Sequence, residues 1–234
     1  MRISVRIADI QKISPTVKSF TLALDGKPFA FLPGQWIDCF IDIDGATEVA
    51  GYSMTTSPTE PGWFSIAIKR VGDNPVTDYL HDHAKVGDAL VVEGGSGDFH
   101  YIGNDPHPLA LIAGGIGITP IASIVRYIAQ SDVQVPTTLV YSAATPSELL
   151  FRQEFETMAS RIPNFRTHFT VTRPHSEQWN GNTGRITATT LRNAGIDANH
   201  LCYICGPPEM IQAMLIALKE IGVPEERLQY EQWW

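Results

Sequence analysis

The stretch Leu109–Pro120, LALIAGGIGITP, limits the possible folds of this chain more than any other. Leu109–Ala113 is a short, continuously apolar run, as expected for a parallel strand buried on both faces. Glycines come next at 114, 115 and 117, then Thr119-Pro120, then the apolar-periodic run Ile121–Ile128. The pattern predicts a strand, a bare glycine turn and a helix N-terminus, an arrangement in which backbone N–H groups and the helix dipole favour an anion. The spacing GGxGxTP matches neither the dinucleotide fingerprint nor the lysine-bearing phosphate loop. On these residues alone, a tight turn without a ligand stays open beside a nucleotide site.

Strand and helix go on alternating through the second half of the chain. Thr137–Tyr141, Phe165–Thr170, Leu201–Cys205 and Arg227–Gln232 read as strands, and 120–130, Pro146–Ala159, Ile186–Asn193 and Pro208–Ile221 as helices. Such alternation predicts a parallel sheet covered on both faces, with ligands beyond the strand C-termini. Gly114–Gly117, Ser142–Thr145, Thr172-Arg173 and Gly206–Pro208 fall at that edge. The first hundred residues read differently. Ile3–Ala8, Val17–Leu24, Trp36–Ile43, Tyr52–Thr56, Trp63–Val71 and Ala89–Glu93 are short strands separated by Gly, Pro and Asp turns, with one brief helix at Val76–His83. A small antiparallel barrel accounts for them. GNDPHP at 103–108 has the composition of a hinge, so the expected domains are 1–104 and 105–234.

Three places in the first half can carry chemistry. Tyr52 can stack on a planar ring while Ser53 donates a hydrogen bond, or both can be ordinary barrel residues. Lys69-Arg70 with Thr77 can hold a pyrophosphate, or form a solvated charge pair. Gly94–Phe99 reads as a loop, either passing over a ligand or simply connecting.

Composition excludes several classes. A formal charge of −8 over 234 residues argues against nucleic acid. Three cysteines at 39, 202 and 205 make neither a disulfide framework nor an iron–sulfur run, and no metal site is expected. Met1–Ile10 is alternating and charged, unlike a signal peptide, and no apolar run reaches the roughly 18 residues of a membrane span. A cytoplasmic protein is expected.

GGIGITP, YICGPPEM and GYSM, with Phe31–Gln35 as FxPGQ and an acidic–aromatic tail at 231–234, resemble the ferredoxin–NADP reductase superfamily over essentially the whole chain. Within it the chain is most similar to the oxidoreductase NAD-binding domain-containing proteins. The resemblance implies an all-β antiparallel flavin-binding barrel followed by an α/β parallel-sheet nucleotide-binding domain. It implies hydride transfer from NAD(P)H to bound FAD, with FMN an alternative, and electrons passed to a separate redox protein or a small acceptor. It places Tyr52 against the isoalloxazine, Ser53 near its reacting nitrogen, and Ile68, Lys69 and Thr77 along the flavin chain. Gly114, Gly115, Gly117 and Thr119 are implied to hold the nicotinamide nucleotide's pyrophosphate, with Gly206 and Pro207 in the facing loop. Cys205 is implied to face the nicotinamide, Glu231 to lie near the reaction centre, and Trp233 or Trp234 to cover the flavin as a movable lid. Thr172, Arg173 and Arg185 resemble positions contacting a 2′-phosphate and favour NADPH over NADH.

The family's flavin-phosphate arginine is Ala50 here. Arg70 is expected to substitute for it. Asn74 stands where the family has a glycine, a change that a left-handed backbone would accommodate. A flavin reductase releasing reduced flavin, and a non-catalytic nucleotide-binding module, are the rival readings. The electron acceptor and oligomeric state stay open.

Overall fold

The computed structural model describes residues 1–103, 105–131, 133–174 and 178–232. They form two units: residues 1–102 with 122–130, and residues 103–121 with 131–234.

The first unit contains an antiparallel six-stranded sheet in the order β4-β3-β6-β1-β2-β5. Its strands are β1 (Ile3–Lys12), β2 (Val17–Ala23), β3 (Trp36–Ile43), β4 (Ala46–Ser53), β5 (Trp63–Lys69) and β6 (Ala89–Ser96). Alternation decides which face is inside: Ile3, Val5 and Ile7 are buried while Ser4 and Arg6 face out. These residues join Phe20, Leu22, Ile37, Cys39, Phe64 and Ile66 in one core. Asp44 (φ 50°) and Gly45 (φ 83°) turn β3 into β4 with the paired positive φ angles of a tight hairpin. An antiparallel bridge between Met54 and Ile66 links the end of β4 to β5, the two strands at opposite ends of the sheet order.

Two expectations change here. The fourth strand begins at Ala46, not Tyr52, because ATEVAG lacks the apolar alternation that would announce it. Gly94 and Gly95 belong to β6 and not to a loop. A Cβ on Gly94 would lie 2.7 Å from the Trp36 carbonyl oxygen, so the strand accepts only glycine where β3 shifts register between Trp36 and Ile37.

Helix α1 (Pro75–Asp82) follows β5. Asn74 caps it with an extended backbone (φ −115°), accepting the Thr77 N–H through Oδ1, so the asparagine is accommodated as a helix cap and not through a left-handed backbone. Helix α2 (Ile118–Gln130) is divided between the units at Ile121/Ala122. Its latter half carries side chains bonded to the segment after β4: Ser123 Oγ donates to the Thr56 carbonyl at 2.6 Å, and Arg126 Nη1 to the Thr55 carbonyl at 2.6 Å.

The second unit holds a six-stranded parallel sheet in the order β10-β9-β8-β7-β11-β12. The strands are β7 (Leu109–Gly114), β8 (Thr137–Ala143), β9 (Phe165–Val171), β10 (Asn182–Thr183), β11 (Leu201–Cys205) and β12 (Leu228–Glu231). Helices α3 (Arg152–Arg161), α4 (Ala188–Asn193) and α5 (Pro208–Ile221) connect them. β7 is buried throughout, as its unbroken apolar run requires. The expected helix from Pro146 starts later. Pro146–Glu148 is a single 3₁₀ turn and Phe151 is left-handed (φ 58°), because the buried Tyr141 hydroxyl pins the intervening backbone. Among the described residues no helix is long and apolar enough to cross a membrane.

Candidate functional site

Strand order reverses at β7, with β8 to β10 on one side and β11 and β12 on the other. A parallel sheet opens its crevice beyond the strand C-termini at such a point. The residues arriving there are Gly114 of β7, Cys205 of β11 and Glu231 of β12. Ala113 pairs with Cys205, and Cys205 with Glu231.

The two loops leaving this edge are built around each other's missing side chains. A Cβ on Gly117 would collide with the Cys205 carbonyl and lie 2.6 Å from the Gly206 nitrogen. A Cβ on Gly114 would strike the Met210 sulfur, so Met210 fills the space that Gly114 leaves. Gly115 differs: its φ is 55°, and a Cβ there would meet nothing within 4 Å. The turn is thus packed underneath and bare above, which suits a ligand needing backbone contact. Thr119 Oγ1 donates to the Ile116 carbonyl at 3.0 Å. Tyr141 Oη lies 3.0 Å from the Gly115 carbonyl and 3.1 Å from the Glu148 carbonyl, and accepts the Leu150 N–H. The first turn of α2 carries no acidic side chain, so its positive dipole end is not neutralised.

Cys205 is fully buried, and burial, reinforced by Glu231, holds its thiol well above the usual range. It is a neutral packing group and not a nucleophile. Burial also pushes Cys39 and Cys202 up to about 12. All three should resist a thiol reagent at about pH 8 in the native protein and react after unfolding. Because the folded state keeps these protons longer, stability should fall as pH rises above the unfolded thiol range of about 8.5. A native chain that titrates even one thiol rapidly would contradict this.

Thr172 and Arg173 leave the C-terminal end of β9, their main-chain N–H groups bonded to the Ala143 (3.0 Å) and Ala144 (2.7 Å) carbonyls. Their side chains, like that of Arg185, are exposed. Arg152, in the first turn of α3, lies 2.7 Å from Glu156 and is stacked 4.7 Å over the Trp179 ring.

In the first unit, Tyr52 is half-buried and its hydroxyl lies 3.0 Å from Thr77 Oγ1, tying β4 to the first turn of α1. Burial raises the phenol far above its ordinary range, so it stays neutral. Ser53 is only 5% exposed, and among the described residues its hydroxyl makes no hydrogen bond to the protein. Ser53 Oγ is not among the buried atoms left without a partner, so the hydroxyl stays open to a group arriving at the end of β4. Ile68 is buried in β5, and its carbonyl accepts the His81 Nε2–H at 3.0 Å. Lys69 ends that strand. Arg70, the expected phosphate partner, is already bonded to Asp82 and lies 3.5 Å from Asp78. Trp233 and Trp234 lie outside the described residues. Sequence reasoning passed over Tyr141 and Met210. The Met of CGPxxM carried a signal, but its partner Gly114 lies far away in the chain.

The oxidoreductase FAD-binding domain family matches residues 4–101 and the oxidoreductase NAD-binding domain family residues 111–215. An oxidoreductase NAD-binding domain-containing protein 1 from Danio rerio is 35% identical, covering 99% of this chain and 92% of its own. The chain belongs to the ferredoxin–NADP reductase superfamily. It is a flavin- and NAD(P)H-dependent oxidoreductase of the electron-transfer class, with FAD as its flavin. Another relative within this superfamily, a glycine betaine monooxygenase reductase subunit from Chromohalobacter salexigens, is 33% identical over 94% of the chain, which spans only 61% of that protein. The crystallised flavohem-like FAD/NAD-binding domain of nitric oxide dioxygenase from Vibrio cholerae superposes with a TM-score of 0.87 at 26% identity, covering 98% of both chains.

Proposed function

We propose that this chain takes hydride from a nicotinamide nucleotide held on the Gly114–Thr119 turn and delivers it to a flavin held by Tyr52 and Ser53, with electrons leaving to a separate redox protein or small acceptor. The observation that carries this reading is the turn itself: packed on Cys205, Gly206 and Met210 below, bare at Gly115 above, at the point where strand order reverses. A bound flavin supplies the two-electron acceptor. The chain's residues position and exclude water. Tyr52 offers a ring held by Thr77, Ser53 a donor with no competing protein partner among the described residues, and the protonated Cys205 thiol an apolar surface beside Glu231. Pro207 is the N-cap residue of α5 and follows Gly206 directly, so the helix begins beside the turn. In this reading the first unit's sheet closes as a barrel through the Met54–Ile66 bridge.

An absorption spectrum followed by anaerobic NADPH titration tests the proposal. A yellow protein, or one that turns yellow with FAD and is bleached by the nucleotide, is expected. A colourless protein that takes up neither FAD nor FMN would defeat it. Thr172, Arg173 and Arg185 favour NADPH. Arg173→Ala should lower kcat/KM for NADPH about tenfold while leaving NADH nearly unchanged, since one charge-assisted contact is worth that ratio. Equal losses with both nucleotides would remove Arg173 from this role. The Ala50 and Arg70 surroundings favour a second reading, in which reduced flavin is itself the released product.

A further inference from the structure

The surroundings of Arg70 carry an inference that rests on the flavin reading of the first unit. Ala50 lies two residues from Tyr52, so both sit on one face of β4, and the face that carries the stacking ring has no cation at position 50. Tyr52 in turn touches Thr77, and Asp78 is the next residue of α1. The guanidinium expected to serve this region is held by carboxylates: Arg70 Nη2 bonds Asp82, and Nε lies 3.5 Å from Asp78 Oδ1. The N–H of Thr77 is also taken, by Asn74 at 2.9 Å. Two carboxylates thus hold Arg70 against α1, while Lys18 Nζ, the other cation at this end of the helix, donates to the His81 carbonyl at 2.6 Å, so a phosphate reaching Arg70 must displace the carboxylates.

We propose that Asp78 and Asp82 set the affinity of this chain for the flavin phosphate, holding Arg70 as internal competitors so that the flavin binds reversibly. All three side chains are roughly half-exposed (44%, 48% and 52%), and ion pairs in that setting are weak enough to exchange. A phosphate group engages a guanidinium bidentately, so it can win Arg70 from these partners, but less tightly than if the arginine were unopposed. The arrangement favours a flavin that exchanges with solvent, as a substrate does, over one retained through many turnovers.

The test is a gain of binding in the whole chain. The Asp78→Asn, Asp82→Asn double variant should bind FAD and FMN about three- to tenfold more tightly than the parent at low salt, measured by quenching of flavin fluorescence. Riboflavin, which has no phosphate, should bind both proteins equally. Adding Arg70→Ala should abolish the gain. Helix effects oppose each other, because Asp78 sits in the first turn, where a negative charge is favourable, and Asp82 in the last, where it is not. Should the double variant fail to fold, Asp82→Asn alone carries the test with a smaller gain. Unchanged FAD affinity, an equal gain for riboflavin, or a gain that survives Arg70→Ala would each overturn the inference while leaving the flavin reading intact. If neither parent nor variants bind FAD, FMN or riboflavin, the inference and the flavin reading fall together.

Discussion

Replacing Gly117 with alanine is expected to destabilise the second unit by about 1–3 kcal/mol and to weaken nucleotide binding by about a hundredfold. The added methyl would overlap the Cys205 carbonyl, and its nearest neighbours are all backbone atoms of Cys205 and Gly206. No side chain can rotate away, so either β11 or the turn must move. A displacement of about 1 Å at a phosphate cradle is enough to cost two orders of magnitude in a positioned reaction. Gly115→Ala is the matched control. Its methyl would enter open space, and its cost is the left-handed backbone at φ 55°, about 1–2 kcal/mol. That methyl stands on the bare side of the turn, so Gly115→Ala should also impair nucleotide binding, but with no clash beneath it. Thermal unfolding and nucleotide titration on the two variants separate these effects. If Gly117→Ala matches the parent in both, the packing of the two loops does not hold the site.

The contrast also shows what was legible in the sequence. The β7–turn–α2 unit could be read directly because strand, glycines and helix start are contiguous, and each is dictated by local chemistry. Parallel topology followed from alternation, and the converging loops from the general property of strand C-termini. What Gly114 needs could not be read: its requirement comes from Met210, whose sulfur arrives from another strand–helix unit. Tyr141 was hidden for a similar reason, being an aromatic in an apolar strand until its hydroxyl is seen between Gly115 and Glu148. The polar face of α2 gave no hint that Ser123 and Arg126 bond carbonyls at 55 and 56. Arg70 was identified as a cation near the right strand, but a charge in sequence carries no information about which carboxylates reach it. Long-range partners, not local propensities, account for what was missed.

Ser53→Ala should lower the rate of flavin reduction by about a hundredfold and leave both stability and nucleotide KM almost unchanged. The separation of effects follows from the geometry. Ser53 is 5% exposed at the end of β4, yet its hydroxyl bonds no protein group among the described residues, so its loss leaves no partner unsatisfied. A stability change within about 0.5 kcal/mol is therefore expected. A preorganised donor lost at a reacting centre typically costs 10²–10³ in rate, because the interaction is made to charge that develops in the transition state. Ser53→Thr keeps the donor but adds a methyl in a nearly closed position, and should recover part of the rate where cysteine, a weak donor, does not. Stopped-flow reduction under anaerobic conditions measures the step itself, and thermal unfolding measures the fold. A variant that loses stability in proportion to rate would make Ser53 a packing residue, and one that reduces flavin at the parental rate would remove it from the reaction altogether.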